Sequence, residues 1–556
     1  MAMVDGISEY TAHVDLFARA RLPSRELCPE FIFDLPELRY PERLNCGVAL
    51  LDDAVAEGHG SRQALYSESG NWTYAELLER TNQIANVLVA DLGIVPGNRV
   101  LLRAPNNPML VACWLAVMKA GAIAVTTMPM LRAKELAAMA ERAQIDHAIC
   151  DARLAEELRL AAETGGRLGH IVTFGDGVLE GLMSPHPATF NNVPTARDDV
   201  CLLAFTSGTT GVPKATIHFH RDVLVMRDVV GRRLLELGHD DVCVGSPPLG
   251  FTFGLGALLV FPLGCRGAVA LVEQPTPENL LAAAQRYGVT TLFTAATAYR
   301  NMVAVVPNYD LSSLRRCISA GEPLPKSTSD AWHGNTGIRI IDGIGATEMI
   351  HIFISAAGEQ IRPGATGKPL PGYQACVLDD HDQPLPRGHA GRLAVKGPTG
   401  CRYLDDDRQR SYVRNGWNVT GDIYRVDEDG YFWFQARADD MIVSAGYNIA
   451  GPEVEAALLT HPAVKECACI GAPDPARGQI VKAFVVLNDG HSPGEPLVKQ
   501  LQDFVKQAIA PYKYPRAIEF LQGLPKTPTG KVQRNALRAR RFRPACERRS
   551  DQWPAA

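Results

Sequence analysis

Residues Thr206 to Thr216 read Thr-Ser-Gly-Thr-Thr-Gly-Val-Pro-Lys-Ala-Thr and directly follow the apolar run Val200 to Phe205. This pattern predicts a strand emptying into a phosphate-holding loop. Gly208 and Gly211 let the backbone approach an anion, the hydroxyls of Thr206, Ser207, Thr209 and Thr210 offer donors, and Lys214 supplies a positive charge. The spacing differs from the P-loop pattern G-x-x-x-x-G-K-[ST], and Pro213 argues against a helix starting directly on the phosphate site. A Thr/Gly-rich surface turn would have the same composition, so the remaining chemistry-bearing residues must decide.

Two later segments, Ser319 to Leu324 and Asp342 to Glu348, each predict a strand end turning through glycines. Beside a polyphosphate, the Glu348 carboxylate suits a Mg2+ ligand that offsets phosphate charge; Thr347 adds a hydroxyl, and His351 follows three residues on. Asp422 lies after the tight turn Thr420-Gly421, where its carboxylate can accept two hydrogen bonds from a ribose or serve as an ordinary turn aspartate. Lys531 sits in the polar loop Pro525 to Arg534, from which its cation could swing over a neighbouring site. Phe251, Thr252 and Phe253 belong to a Gly- and Pro-rich stretch, Ser246 to Gly256, that can line a flat pocket or form a loop-to-helix junction in the core. Ala295 to Tyr299 are small residues ending in a ring, leaving room for a ligand or for a neighbouring helix.

The elements that must position these groups follow from the pattern. Thr73-x-x-Glu76 is a capping box opening an apolar-periodic helix. Arg99 to Ala104, Ala122 to Thr127 and Asp146 to Cys150 predict strands, alternating with helices from Asn107 to Gly121 and Leu131 to Gln144. Such alternation implies an α/β domain with substantial parallel sheet, whose ligands collect at the carboxyl ends of strands. The charged turn Arg437 to Asp440 marks a domain boundary. Beyond it, strands at Glu466 to Ile470, Lys482 to Leu487 and Ile518 to Leu521, with helices at Pro452 to Leu459 and Glu495 to Ile509, make a small α+β domain. The expected division is 1-438 and 439-556.

At 556 residues, two or more domains are the default. A composition 46% apolar and 21% charged is globular. The net charge of -5 and the absence of a long basic run argue against a nucleic-acid partner. The apolar stretch Met109 to Met118 falls short of the ~20 residues needed to span a membrane. The start has no secretory pattern, and thirteen scattered cysteines suit a reducing compartment, so a cytoplasmic location is expected. Cys467 and Cys469 lie in a strand-like apolar run and are read as core rather than metal ligands.

With these segments in this order, the chain resembles the adenylate-forming superfamily of acyl-CoA synthetases, carrier-protein adenylation domains and firefly-type luciferases, over about residues 45 to 540. Within it, Asp342 to Phe353 resembles the benzoate and 2-aminobenzoate CoA ligases, and Thr11 to Arg19 together with Pro247 to Gly256 favour the 2-aminobenzoate branch. The resemblance implies a large multi-layer N-terminal α/β domain with a small mobile C-terminal domain. It implies ATP-dependent conversion of an aromatic carboxylate, through an aryl adenylate, to its CoA thioester. Thr206, Ser207, Gly208, Thr209, Thr210, Gly211 and Lys214 would hold the β and γ phosphates, Glu348 would bind Mg2+, and Asp422 the ribose with Arg437 assisting. Gly321, Glu322, Pro323, Gly345 and Thr347 would complete the nucleotide site; Ile344 stands where many relatives have a tyrosine on adenine, leaving that ring to apolar packing and backbone. Lys531 would bridge carboxylate and α-phosphate, with Thr209 and Glu348 the other catalytic residues. Asp439 would be the hinge, and the Gly446-Tyr447 loop would enter for the CoA step. Phe251, Thr252, Phe253, Tyr299, Ala320 and His351 are the candidates for the acyl pocket; His351 would contact the ring or an ortho substituent, or be satisfied by backbone. Loading of a carrier protein, or activation of another small acid, are the alternatives; a homodimer stays open.

Overall fold

The computed structural model describes residues 9–165, 167–206, 213–444, 447–474, 477–509, 511–527 and 530–540. Its mixed α/β chain falls into two compact units: Met1–Leu324, Thr328–Thr420 and Val426–Trp433 form one, and Pro325–Ser327, Gly421–Arg425 and Phe434–Ala556 the other.

The first unit contains two large sheets. One has six strands in the order His170–Phe174, His147–Asp151, Arg99–Arg103, Ile123–Thr127, Val200–Thr206, Lys214–Phe219. Its pairings are parallel apart from the last, an antiparallel hairpin. Val100, Leu101 and Leu102 are all buried, because helices cover both faces of a parallel sheet; such strands read as continuous apolar runs rather than as alternation. The second sheet runs Lys368–Pro369, Ile352–Ser355, Ile340–Gly345, Arg316–Ala320, Thr291–Thr294, Val242–Gly245, Ala268–Ala270, Gln63–Tyr66, Trp72–Thr73.

Local chemistry explains the element starts. Thr73 caps the helix Tyr74–Asn86 through a complete capping box with Glu76. The Asn107 side chain accepts from the Leu110 amide, with Pro108 at the first helical position of Pro108–Lys119. That helix is apolar on every face and almost wholly buried; the Lys119 ammonium at its end is paired with Asp52 at 2.6 Å.

The second unit is built on the antiparallel pair Val464–Asp474 and Gly478–Leu487, flanked by Met441–Ser444 and Ala517–Phe520. The helices Gly451–Leu458 and Glu495–Ala508 contribute Val454, Leu458, Leu501 and Val505 to its core, where Cys467 and Cys469 also lie. Among the described residues, no helix is long and apolar enough to cross a membrane.

Candidate active site

The segment read as one loop from Thr206 to Thr216 is shorter than expected. Lys214 already begins the strand Lys214–Phe219, and Thr206 and Lys214 are register partners across the hairpin. The β-branched and aromatic residues from Thr216 to Phe219 favour strand and extend the ladder back to the lysine. The lysine is therefore anchored on a sheet rather than carried on a free loop. Ser207, Gly208, Thr209, Thr210 and Gly211 lie outside the described residues, as does Gly446.

Lys214 and Glu348 come together through a residue that the sequence reading did not single out. The Tyr403 hydroxyl donates to Glu348 Oε1 at 2.5 Å and accepts from Lys214 Nζ at 3.3 Å. The Lys214 ammonium also lies 5.1 Å from the centre of the Tyr403 ring. Glu348 sits in the single turn Thr347–Met349, beyond the exposed Gly345 at the end of Ile340–Gly345. Its carboxylate, half-buried and with one oxygen engaged by a hydroxyl, has the hard oxygen chemistry that a Mg2+ ligand requires.

The next residues turn sharply. Ile350, buried and β-branched, has φ 64°, a conformation that costs such a residue ~1 to 3 kcal/mol. This turn lets the chain return antiparallel as Ile352–Ser355, leaving Glu348 and His351 on opposite sides of the strained residue. His351 is 3% exposed, and among the described residues its ring nitrogens have no partner of ordinary hydrogen-bond geometry. Its neighbours are aromatic: Phe261 edge-on at 4.7 Å and Phe253 at 5.7 Å between centres, with Phe293 against both. Burial lowers its pKa to about 3, with the Phe253 backbone opposing weakly, so the imidazole is neutral at physiological pH. Gly256 makes the close approach feasible: a Cβ there would lie 2.5 Å from His351 Nε2.

Phe251 and Phe253 are half-buried at the start of the helix Thr252–Leu255, and Thr252 is buried. Ala320, 5% exposed, ends the strand Arg316–Ala320; Gly321 follows at φ 90°, and Pro323 is exposed. The Glu322 carboxylate is engaged by the Thr297 amide at 2.5 Å. Tyr299 does not line a pocket. It is fully buried, packs edge-on against Trp332 at 4.8 Å, and donates to the carbonyls of Leu292 and Ile318, so both its faces and its hydroxyl are consumed by the core.

Asp342 is a second group that the sequence reading passed over. It is the register partner of Ser319, and burial of its carboxyl pushes its pKa up to about 7.

In the second unit, Asp422 and Arg437 meet as an ion pair of 2.9 Å. Lys531 is exposed; its amide donates to Thr527 Oγ1 and its carbonyl accepts from the Thr527 amide. Asp439 lies in the short turn Ala438–Asp440, and Tyr447 opens the strand Tyr447–Ala450.

Comparison with known proteins matches this arrangement to one family. The model of the AMP-binding enzyme family matches residues 52–402, and that of the AMP-binding enzyme C-terminal domain residues 453–531. A benzoate–CoA ligase of Thauera aromatica is 34% identical over 516 residues, covering 91% of this chain and 97% of the relative. A mitochondrial acyl-coenzyme A synthetase of Homo sapiens, ACSM3, is 33% identical over 86% of this chain and 84% of its own. Among solved structures, the anthranilate CoA ligase AuaEII in complex with anthranoyl-AMP superposes with a TM-score of 0.86 at 34% identity, covering 91% of this chain and 98% of that one. A benzoate CoA ligase from Burkholderia xenovorans LB400 gives 0.82 at 30% identity over 89% and 100%. The chain belongs to the AMP-binding enzyme family and is an acid-thiol ligase.

Proposed function

We propose that the protein is an ATP-dependent aryl-CoA ligase acting on benzoate or 2-aminobenzoate type acids. Lys214 and Glu348, joined through one buried hydroxyl at the end of the Val200–Thr206 strand, are the observation that carries this reading. A cation and an oxygen ligand so placed suit a triphosphate with Mg2+, which supplies charge neutralisation when bound. The first step joins two anions: a carboxylate oxygen attacks the α-phosphorus, the bond to pyrophosphate breaks, and an aryl adenylate forms. Thr206, Ser207, Thr209, Thr210 and Lys214 hold the departing phosphates, and the paired Asp422 and Arg437 serve the ribose. Lys531 stabilises the charge that builds between carboxylate and α-phosphate. In the second step the thiolate of CoA attacks the acyl carbon, and AMP leaves with the bridging oxygen. Asp439 is the hinge about which the small domain, residues 439-556, turns between the two steps, bringing Gly446 and Tyr447 to the CoA channel.

For the acid, the flat rings of Phe253 and Phe261 around His351 favour a planar aromatic group. A neutral imidazole has one acceptor nitrogen, which an ortho amine can use; this favours 2-aminobenzoate, in keeping with the anthranoyl-AMP held by the structural relative. The identity to a human acyl-coenzyme A synthetase supports a second reading, a different small carboxylic acid. A panel of benzoate, 2-aminobenzoate, hydroxybenzoates and a medium-chain fatty acid, scored by pyrophosphate release, separates the two. The aromatic acids should give the higher kcat/KM, and preference for the fatty acid would reverse the assignment. Product analysis with CoA and with a carrier protein distinguishes ligase from carrier loading.

A further inference from the structure

Tyr403 is 1% exposed, and its position is set by more of the fold than that of either charged group it touches. It bridges to Thr216 in the strand that begins with Lys214. On either side, the Ile217 amide donates to the Arg402 carbonyl at 2.7 Å and the Leu404 amide to the Ala215 carbonyl at 2.9 Å. The Tyr403 amide donates to Gln409 Oε1 at 2.8 Å, and its ring meets Tyr412 edge-on at 5.9 Å. The neighbouring Arg402 guanidinium is buried and donates to Asp222 Oδ2 at 2.8 Å; the same oxygen accepts from the Phe219 amide at 3.0 Å, closing the start of the helix His220–Met226. A clamped hydroxyl thus meets both a lysine at the start of a strand and a glutamate on a single turn.

Among the described residues, Lys214 and Glu348 form no direct ion pair within 4.0 Å, while the Tyr403 hydroxyl bonds to both. A phenol has one proton to give and lone pairs to receive, so it can serve a carboxylate and an ammonium together. We propose that Tyr403 is a positioning residue of the nucleotide site, whose hydroxyl holds Glu348 and Lys214 apart so that each remains available to a metal-bound triphosphate instead of neutralising the other. The proposal rests on the nucleotide-site reading given above.

Tyr403→Phe keeps the ring and its packing but frees Lys214 to pair with Glu348. The readout is equilibrium binding of ATP with Mg2+, in the absence of acid and CoA, by titration calorimetry on the full chain, together with KM for ATP and for the acid. Loss of a hydrogen bond to charged partners should weaken MgATP binding roughly tenfold, with the KM of the acid and the thermal midpoint little changed. In a Lys214→Met background, where no ion pair can form, Tyr403→Phe should alter MgATP affinity by less than about twofold. Unchanged affinity in the single variant, or a lowered thermal midpoint without an affinity change, would overturn the proposal while leaving the ligase reading intact. Failure of the parent chain to bind MgATP would overturn both.

Discussion

Gly256→Ala tests the proposed place of His351 beside the acid most sharply. The Gly256 backbone is helical, with φ -60° and ψ -57°, so alanine is conformationally acceptable and gains ~1 kcal/mol of helix propensity. Its methyl group, however, would lie 2.5 Å from His351 Nε2, 2.6 Å from Cδ2 and 2.8 Å from Phe261 Cζ, each short of the 3.4 Å at which ordinary contact begins. Both rings must give way, that of His351 by nearly an ångström, and both are buried among Phe253 and Phe293. Overpacking of this kind costs ~1 to 3 kcal/mol, leaving a net loss of up to ~2 after the helix gain. Displacing a group that orients the acid by ~1 Å can cost ~100-fold, so the apparent KM of the aromatic acid should rise ~10- to 100-fold while that of ATP stays within about twofold. Pyrophosphate release at varied acid and varied ATP reads both constants. Gly231→Ala is the control: its methyl group would meet Phe261 and the Cys265 Sγ at 3.4 Å, ordinary contact, and should leave both constants and the thermal midpoint unharmed. A Gly256→Ala chain with parental acid KM and midpoint would refute the placement of His351 beside the acid.

Three further predictions follow the same logic. Lys531→Ala should slow adenylation ~100- to 1000-fold, the cost of losing a preorganised cation, yet largely spare conversion of a supplied aryl adenylate to thioester; equal loss in both half-reactions would remove its one-step role. Asp439→Pro should impair thioester formation more than adenylation, read as the ratio of the two single-turnover rates, and an unchanged ratio counts against the hinge. Asp342 is protonated more tightly folded than unfolded, so its contribution to stability is full below pH 3.8 and is lost as pH rises through about 7. Asp342→Asn should therefore stabilise the chain by about 2 to 4 kcal/mol at pH 8 and hardly at all at pH 4, a difference read from denaturant midpoints; a gap that does not grow with pH would show that the carboxyl titrates normally.

Local signals in the sequence carried most of the architecture. The Thr73 capping box, the Asn107-Pro108 helix start and the buried strand runs are each decided within a few residues, and the helix predicted at Glu495 to Ile509 differs from Glu495–Ala508 by one residue. The errors concern long-range packing. Tyr299 reads as a pocket ring because its neighbours in sequence are small, but its environment is set by Trp332, which no local pattern reveals. The extent of the Thr206 hairpin was obscured by Pro213, which disfavours a helix but says nothing against an adjoining strand. Tyr403 lies outside the segments that the sequence pattern picks out; a cross-strand bridge to Thr216 places it, and a turn brings Glu348 to its hydroxyl. Asp342 was visible next to Gly343, but the enclosure that raises its pKa comes from the fold around it.

In the proposed reaction the carboxylate attacks the α-phosphorus before the thiol attacks the acyl carbon. Turnover of 2-aminobenzoate or benzoate carrying 18O in both carboxylate oxygens, with ATP, Mg2+ and CoA, tests it directly by mass spectrometry of the products. AMP should emerge with one 18O and the CoA thioester should retain the other. Label in inorganic phosphate or pyrophosphate, with unlabelled AMP, would contradict it.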